Sequence, residues 1–365
     1  MAPPQDKPAM DEAEEKITYE RLSELECMFD DVDTEMLAKQ YLLATPVHKK
    51  LAAIVPKIPA FWALVFEQSP PEIDTYIQPS DSAVLAAALK SIHVERFEIP
   101  ATAKPTDTGV QAFGEPRSFK ITFTFGENEW FSDTTLEKKF YYRYAKDGFQ
   151  GHISEPVKIN WKPGKDLTDG MTDLAGKFYA AQLKHVQANG GKWGVYGKTK
   201  KNALPTIELP EFEEIKKRVD DSTEGSQSFF TWFGYRGKFI SEEENKAARA
   251  EEAERRAKVQ RGEPLDDSDE EDDEMDEDGD EFDMDYADSE VFFNGEDFGV
   301  CIAEELWPNA IQLFMQAQEA DDLSEADFED EDMDDMMEED DDEDDDDDEE
   351  EAPKAKAKAS KPKRK

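Results

Sequence analysis

The stretch SFKITFTFGENEWFSDTTLEKKF (Ser118–Phe140) decides the fold class, because its first part alternates between apolar and polar residues. In a β-strand, successive side chains point to opposite faces. The apolar side chains that would share one face are Phe119, Ile121, Phe123 and Phe125. A turn-rich piece, GENEWFSD, follows before the pattern resumes in EKKFYYRYA. This stretch therefore predicts an antiparallel hairpin with one buried face.

Two more segments extend this pattern, IHVERFEI (Ile92–Ile99) before the hairpin and EPVKINWK after it. The intervening pieces, including KDGFQGH, are rich in turn residues, and no helix separates the strands. Helical patterns instead lie upstream, in IPAFWALVFEQSP and DSAVLAAALKSI, and downstream, in NGEDFGVCIAEELWPNAIQLFMQ. The sequence predicts an α+β fold: a roughly four-stranded antiparallel sheet covered by helices on one face.

A long helix is predicted at the N-terminus, from Asp11 to about Val55. Its apolar residues recur at spacings of 3 and 4, which is typical of a coiled-coil seam. The members of this seam are Leu22, Leu25, Phe29, Val32 and Met36. Two interpretations stay open, a dimer seam and an amphipathic helix packed on its own domain. Pro46 lies inside the stretch and could kink it or end it early.

Negative charge is concentrated in the last third of the chain. Residues 1–240 carry 30 Lys+Arg and 36 Asp+Glu, whereas residues 241–365 carry 13 and 53. Acids occupy 17 of 25 positions in 266–290 and 24 of 31 in 321–351. Such segments repel themselves and bury too little apolar surface to fold. Their charge disfavours nucleic acid and anionic membranes and favours strongly basic partners, although a simple solubilising tail is the plainer interpretation.

The cysteines and the N-terminus predict a soluble, intracellular protein. Cys27 and Cys301 are the only cysteines, which does not indicate a disulfide framework and fits a reducing compartment. The first residues, MAPPQDKPAM, lack the apolar region of a signal peptide. No run approaches the ~18 apolar residues of a membrane span, so we expect no membrane contact.

No motif for catalysis or metal binding is found in the sequence. The four histidines are His48, His93, His152 and His185. None of them has a Cys, His or acid at metal-ligand spacing. GGKWGVYGKT lacks the required first glycine of a phosphate loop. EMDEDGDEFDMD (Glu274–Asp285) matches a calcium loop loosely, inside a low-complexity acid run. We therefore expect no enzyme activity, no cofactor and no metal site.

The chain ends in a short basic run, APKAKAKASKPKRK (Ala352–Lys365). A basic cluster of this size is typical of a nuclear import signal, read by an importin. The residues that would carry the signal are Lys361, Lys363, Arg364 and Lys365. The alternative is a basic tail that folds back on the acids, and both can hold together.

Six segments, in order, resemble one family. They are KIPAFW after the long helix, SFKITFTFGENEWFSDTTLEKKF, INWKPGKDLT, SFFTWF, FGVCIAEELWPNAIQLF and the acidic tail. This order is similar to that of the nucleosome assembly protein (NAP) family of histone chaperones. The sequences of WKPGKDLT, SFFTWF and WPNAIQ resemble those of its SET-like branch in particular. The resemblance covers roughly residues 12–316, with a divergent excursion at 169–227.

The resemblance implies an obligate homodimer in which the long helices pair antiparallel and an "earmuff" α+β domain lies at each end. The seam residues above would then form the dimer interface. Carried over by position, the earmuff core would contain Phe61, Trp62, Phe119, Phe123, Trp161, Phe229, Phe230, Trp232, Phe233 and Trp307.

Histones would bind the concave, acidic underside of that dimer. The histone-binding candidates are Glu127, Glu129, Asp133, Asp166, Asp169, Glu304 and Glu305. Lys162 and Lys165 are candidates for a contact with DNA, which we expect to be weak at most, or with acidic neighbours.

The implied domain organisation follows the chain in order. It comprises 1–10 as a disordered N-terminus, 11–56 as the long dimerisation helix, 57–240 as the earmuff domain with a mobile excursion at 169–227, 241–293 as a charged helix or linker with an acidic insert, 294–317 as a C-terminal core helix, 318–351 as a disordered acidic tail and 352–365 as a basic tail.

The resemblance implies a non-enzymatic histone chaperone that shields core histones, H2A–H2B or H3–H4 or both, from unproductive DNA contacts. It would promote nucleosome assembly and disassembly in the nucleus, with shuttling to the cytoplasm. The alternative is a regulatory subunit or inhibitor of a histone acetyltransferase or a phosphatase, which would bind the enzyme without histone.

Overall fold

A computed structural model describes residues 12–188, 210–221, 227–261 and 289–320. The chain divides into two units, residues 1–317 and residues 318–365. In the described ranges, no helix is both long enough and apolar enough to cross a membrane.

The N-terminal helix, α1 (Glu12–Ile54), has 43 residues, which corresponds to about 65 Å. It continues through Pro46 rather than ending there. Its seam faces away from its own domain, since the seam side chains are about half exposed or more. A helix packed on its own domain along this seam is therefore not what the structure shows.

Three short helices follow α1 after a 3-10 turn at Val55–Lys57, and they lead into the sheet. They are α2 (Phe61–Glu67), α3 (Pro71–Asp74) and α4 (Pro79–Ala88). Proline occupies the first position of α3 and of α4, where its missing N–H has no cost. Strand β1 begins directly after α4, so these helices are held close to the sheet.

The sheet has four antiparallel strands in the order β1-β2-β3-β4, which confirms the predicted fold class. They are β1 (Leu89–Glu95), β2 (Phe119–Phe125), β3 (Thr135–Tyr144) and β4 (Gln150–Ser154). Burial alternates along β2, with all four apolar residues of the opening stretch on the buried face.

Two strand predictions were wrong in position. The fourth strand lies in 150–154, within the expected turn, while EPVKINWK (155–162) makes only an isolated bridge between Trp161 and Phe131. Gly148, with φ +83°, allows a tight turn that brings β4 straight back onto β3. Pro156 lacks an N–H for a ladder.

Strand β1 ends at Glu95, four residues earlier than expected. Phe97 then lies against Tyr141 on the open face of the sheet, with ring centroids 5.3 Å apart. The alternation of burial therefore stops where the chain leaves the sheet.

One aromatic core fills the space between the sheet and the helices. The 3-10 helix Phe229–Gly234 lies at the centre of this core, and all of its residues are buried. Of the core residues expected from the resemblance, all are buried except Trp161, which is partly buried and packs against the core. Asp81, at the start of α4, is fully buried and accepts hydrogen bonds from Ser228 Oγ at 2.6 Å and Phe229 N at 2.8 Å.

A second, smaller core lies in the segment expected to be a mobile excursion. Helices α5 (Met171–Ala188) and α6 (Pro210–Asp221) bury Phe178, Phe212 and Ile215 together with Val291. The excursion therefore contributes helices to the fold, while 189–209 and 222–226 lie outside the described residues.

The end of the folded unit also differs from the single core helix expected for 294–317. The chain forms α8 (Gly295–Cys301), a π turn (Ile302–Leu306) and then, after Pro308, a further helix, α9, at 310–320. Phe298, Ile302 and Leu306, which precede Pro308, are buried, whereas Ile311, which follows it, is exposed.

The charged segment after the core is a helix, α7 (Glu242–Gln260), that packs on α1 and β3. Arg256 of α7 pairs with Asp31 of α1 at 3.2 Å. The acidic insert that follows lies almost wholly outside the described residues.

Candidate functional site

The loop between β2 and β3 is joined to the extended segment that precedes α5. Phe131 and Trp161 form an isolated antiparallel bridge. The amide of Lys162 donates to the carbonyl of Trp130 at 2.7 Å. These bonds place the acids of both segments on one edge of the domain.

Three candidate acids lie on the loop itself. Glu127 is exposed. Glu129 pairs with Lys165 at 2.8 Å. Asp133 accepts hydrogen bonds from the amide and the side chain of Asn160 at 2.6 and 2.7 Å. Glu127 and Glu129 are both exposed, but Glu129 is paired with Lys165 and Asp133 is held by Asn160.

The other two candidates of this edge lie at the start of α5. Asp166 accepts from the amides of Thr168 and Gly170 at 2.8 and 2.9 Å, so it shapes the turn. Asp169 is exposed and has φ +51°, and its carbonyl accepts from Arg218 at 2.9 Å. Both residues are exposed, although both carboxylate oxygens of Asp166 are used within the turn.

The last two candidates lie on the π turn, elsewhere on the domain. Glu304 pairs with Arg96 at 2.9 Å. Glu305 is exposed. Burial, and then the charges of Glu305 and Glu72, raise the pKa of Cys301 to about 12. Glu72 lies on α3.

The structure therefore separates the seven candidates into two groups. Arg96, the partner of Glu304, also donates to the carbonyl of Pro116, just before β2. The loop acids lie after the other end of β2. A strand of seven residues spans about 23 Å, so a ligand would have to cover the sheet length to touch both groups.

Sequence reasoning missed a further set of acids near the π turn. Glu72, Asp74 and Asp297 are exposed on α3 and α8, which pack against each other. The segments 58–89 and 289–320 contain no Lys or Arg. That absence of basic residues is the signal by which this face could have been found.

The apolar seam on α1 is the most exposed apolar feature of the described residues. The exposed fractions of the five seam residues lie between 49% and 69%. The stripe continues on the same face through Leu43, Val47 and Ile54. It runs from Leu22 to Ile54, which is about 48 Å, and such a continuous apolar surface marks an interaction site.

The opposite face of α1 is fixed to the domain. Ala38 is fully buried there. Glu35 accepts from the amide of Gly109 at 2.7 Å. Its pKa is lowered by the hydrogen bond from Lys39 and by that from Gly109. The helix is therefore held in one rotation, with the apolar stripe outward.

Trp307 joins the C-terminal end of α1 to β1. Its ring stacks on His48 with centroids 3.8 Å apart, and its Nε1 donates to the carbonyl of Ile92 at 3.1 Å. Burial lowers the pKa of both His48 and His93, which flank the indole.

Several expected features fall outside the described residues. They are the acidic tail, most of the acidic insert, the calcium-loop match, the phosphate-loop match and the import-signal residues Lys361, Lys363, Arg364 and Lys365. Within the described part of the chain, no group of three or more His, Cys, Asp or Glu could hold a metal ion.

Comparison with curated proteins finds partial relatives. The chain is 35% identical over 171 residues to a protein of Schizosaccharomyces pombe described as a nucleosome assembly protein, covering 44% of this chain and 64% of that one. It is 27% identical over 167 residues to NAP1-related protein 2 of Arabidopsis thaliana, covering 44% and 57%. It is 26% identical over 150 residues to Protein SET of Drosophila melanogaster, covering 40% and 49%. The matches thus span about half to two thirds of these relatives.

Solved structures give a weaker likeness over more of the chain. The crystal structure of Ccp1 is 24% identical, with 82% of this chain and 95% of that chain covered and a TM-score of 0.43. The crystal structure of Vps75 is 20% identical, with 82% and 98% covered and a TM-score of 0.45.

The family comparison covers half of the sequence and includes α1 and the whole sheet. The model of the nucleosome assembly protein (NAP) family matches residues 6–189 of the 365. The chain belongs to the nucleosome assembly protein family.

Proposed function

We propose that this protein is a histone chaperone that binds core histones by charge and carries out no catalysis. The observation that carries the proposal is the uneven charge: residues 241–365 hold 53 acids against 13 bases, in a chain with a net charge of −46. Histones are dense in Lys and Arg, so they are the basic partners that a member of this family would meet at DNA. Binding would keep them from unproductive contacts with DNA phosphate and so promote nucleosome assembly and disassembly.

The acidic segments and the folded domain would contribute in different ways. A long run of carboxylates makes fast, salt-dependent contacts of low specificity. The folded domain supplies fixed shape, with Glu127, Asp169 and Glu305 as exposed acids that a histone could reach. Because the candidate acids form two groups along the sheet, we propose that the histone covers the surface between them rather than a single pocket.

The active form in this proposal is a homodimer. The stripe on α1 extends over about 48 Å and its side chains are about half exposed or more. Antiparallel pairing with a second α1 would bury this surface in an isologous interface. Two binding faces in one particle raise the effective concentration of the second contact.

We also propose that the protein acts in the nucleus. Support comes from the basic run at Lys361, Lys363, Arg364 and Lys365, which is typical of an importin cargo. Histones meet DNA in the nucleus, so import would deliver the acidic segments to their partners. We further propose that the protein shuttles through the cytoplasm, where new histones are made.

The test is direct binding to purified histones, with DNA as the competitor. Full-length protein is mixed with H2A–H2B or with H3–H4 in moderate salt, and complexes are measured by sedimentation velocity. We expect complexes in the micromolar range or tighter, which remain soluble when DNA is added. The matched control replaces the acids of 321–351 with Asn and Gln, keeping length and composition otherwise constant. Absence of any complex with either histone pair would reject the proposal.

A further inference from the structure

Helix α7 buries few apolar side chains against the rest of the fold. Among residues 242–258, only Asn245 and Ala248 are buried. Asn245 accepts a hydrogen bond from the amide of Tyr144 at 3.0 Å. A groove of about 410 Å³ runs between α7 and the turn that joins β3 to β4, and one of about 150 Å³ runs between α7 and α1. Helix α7 therefore touches its neighbours along a narrow strip.

Two arginines of α7 pair with carboxylates of the domain beneath it. Arg256 pairs with Asp31 of α1 at 3.2 Å. Arg249 pairs with Glu115, in the segment before β2, at 3.2 Å. Glu115 is buried, but the other three side chains are between 27% and 46% exposed. Ion pairs of this kind are weak and are screened by salt, so a competing cation can replace them.

The segment that contains α7 is fixed at both ends to one place in the fold. Its first end follows Arg236 and Gly237, whose amides donate to Glu290 Oε2 at 3.2 and 3.1 Å. Its second end is Ser289, whose carbonyl accepts from the guanidinium of Arg236 at 2.5 Å. All four residues are buried. Helix α7 can therefore leave the surface without breaking the contacts that hold the chain on either side of it.

The carboxylate that Arg256 holds belongs to an acidic part of α1. Residues 22–38 contain six acids and no Lys or Arg, so the cation on Asp31 comes from α7 and not from its own stretch of helix. The chain that follows α7 holds 17 acids in 266–290, and such a charge attracts basic partners. A Lys- or Arg-rich segment offers Asp31 and Glu115 the same kind of group that α7 offers.

We propose that α7 is a strap that a basic partner displaces. A Lys- or Arg-rich segment of the partner takes the place of the two α7 arginines on Asp31 and Glu115, and α7 then moves away from α1. The strap lowers the apparent affinity of the partner for these carboxylates, because only molecules with α7 released can bind there. The inference rests on the proposed function for the identity of the partner, a histone.

The first test measures how readily α7 leaves the surface without any partner. Cys27 is partly buried and lies about 160–200° around α1 from the stripe. Hydrogen bonding to Glu252, and then the charges of Glu252 and Cys27, raise the pKa of Arg255, so this thiol lies beside α7. The rate at which Cys27 of the full-length protein is alkylated, read by mass spectrometry, therefore reports release of the strap.

The variant R249Q/R256Q should be alkylated at Cys27 roughly 2- to 30-fold faster than wild type, which is the factor that two exposed ion pairs supply. A neighbouring Arg favours the reactive thiolate, so its loss alone slows alkylation. A faster rate can therefore come only from greater exposure of the thiol.

The matched control is R255Q/K258Q, which removes two positive charges from the same helix. These two side chains pair within α7, with Glu252 and Glu254, so the control should be alkylated no faster than wild type. Equal rates for R249Q/R256Q and the control would show that the two arginines do not hold the strap, and would overturn the proposal.

The second test compares the affinities of the two variants for polylysine and, separately, for H2A–H2B, in moderate salt. Because both variants lose two positive charges, R249Q/R256Q should bind each probe more tightly than the control only if the strap competes for the same carboxylates. Equal affinities for polylysine would overturn displacement of the strap, and equal affinities for H2A–H2B would exclude that histone pair as the displacing partner. If H2A–H2B bound none of these proteins, that result would count against the proposed function, whereas polylysine would still decide the inference about α7.

Discussion

Phe29 has the largest exposed fraction of the α1 stripe, 69%, and is therefore the position at which the proposed dimer interface is tested best. The substitution Phe29→Ser removes a side chain that its own protomer scarcely contacts, so the fold of the monomer should be unchanged. Burial of a Phe side chain stabilises by about 1.5–3 kcal/mol. Scaled by the exposed fraction and counted in both protomers, the loss is about 2–4 kcal/mol per dimer. That corresponds to roughly a 30- to 1,000-fold increase in the Kd for dimerisation.

The assay is sedimentation equilibrium over a dilution series, with circular dichroism to check the helix content. Lys49→Ser is the matched control, since Lys49 is also exposed on α1 but lies on the side of the helix opposite the stripe. We expect the control to keep the wild-type Kd. If Phe29→Ser also kept it, the stripe would not be the interface, and the antiparallel pairing of α1 would be refuted.

Three further predictions concern stability and localisation. Burial lowers the pKa of Lys138 to about 7 in the folded protein, whereas the pKa of an unfolded lysine is about 10.4. Between these pH values the unfolded chain binds one proton more than the folded protein. The free energy of unfolding should therefore rise with pH, by about 2 kcal/mol from pH 7 to pH 9. Denaturant unfolding should show this rise in wild type but not in Lys138→Met, and parallel pH profiles would contradict it. Asp81→Ala should lower the free energy of unfolding by about 2–5 kcal/mol, because the buried donors of Ser228 and Phe229 lose their acceptor. Asp81→Asn keeps a carbonyl oxygen and should lower the free energy of unfolding by less. Losses below about 1 kcal/mol in both variants would show that the contact is not needed. Deletion of 354–365 should shift a fluorescent fusion from the nucleus to the cytoplasm, and an unchanged nuclear signal would exclude the basic run as the import signal.

The features that could be predicted from the sequence are those set by a local repeat. The alternation in Ser118–Phe125 specifies one buried face, and the structure has that face. The 3-and-4 spacing on α1 specifies an apolar stripe, but the sequence left open what covers it. The structure shows that its own domain does not cover the stripe, because the opposite face of α1, at Ala38, packs on the domain and leaves Phe29 exposed.

The features that could not be predicted depend on tertiary contacts. Strand β4 is short and contains Gly151 and His152, so its pairing depends on β3 beside it and not on its own pattern. Helices α5 and α6 looked like an excursion because a Gly- and Lys-rich stretch, residues 189–202, separates them in the sequence. They bury these residues against each other and Val291, which comes from more than 70 positions later in the chain.

The candidate acids illustrate the same limit. A resemblance carries residues over by position, yet it cannot say which carboxylates are already used within the fold. Asp133 and Asp166 hold their own loops by hydrogen bonds to Asn160 and Gly170, whereas Glu127 is exposed on the same edge. We therefore expect Glu127 to contribute more to a basic partner than Asp133.

The measurement that tests the proposed function most directly is the salt dependence of histone binding by the full-length protein. The affinity for H2A–H2B and for H3–H4 is measured at several salt concentrations, with full-length protein and with residues 1–317. We predict a steep loss of affinity with salt for the full chain and a shallower loss without the tail, because screening weakens contacts between exposed charges. Affinities that do not change with salt, or histones that do not bind at all, would contradict the claim that this acidic protein binds basic partners by charge.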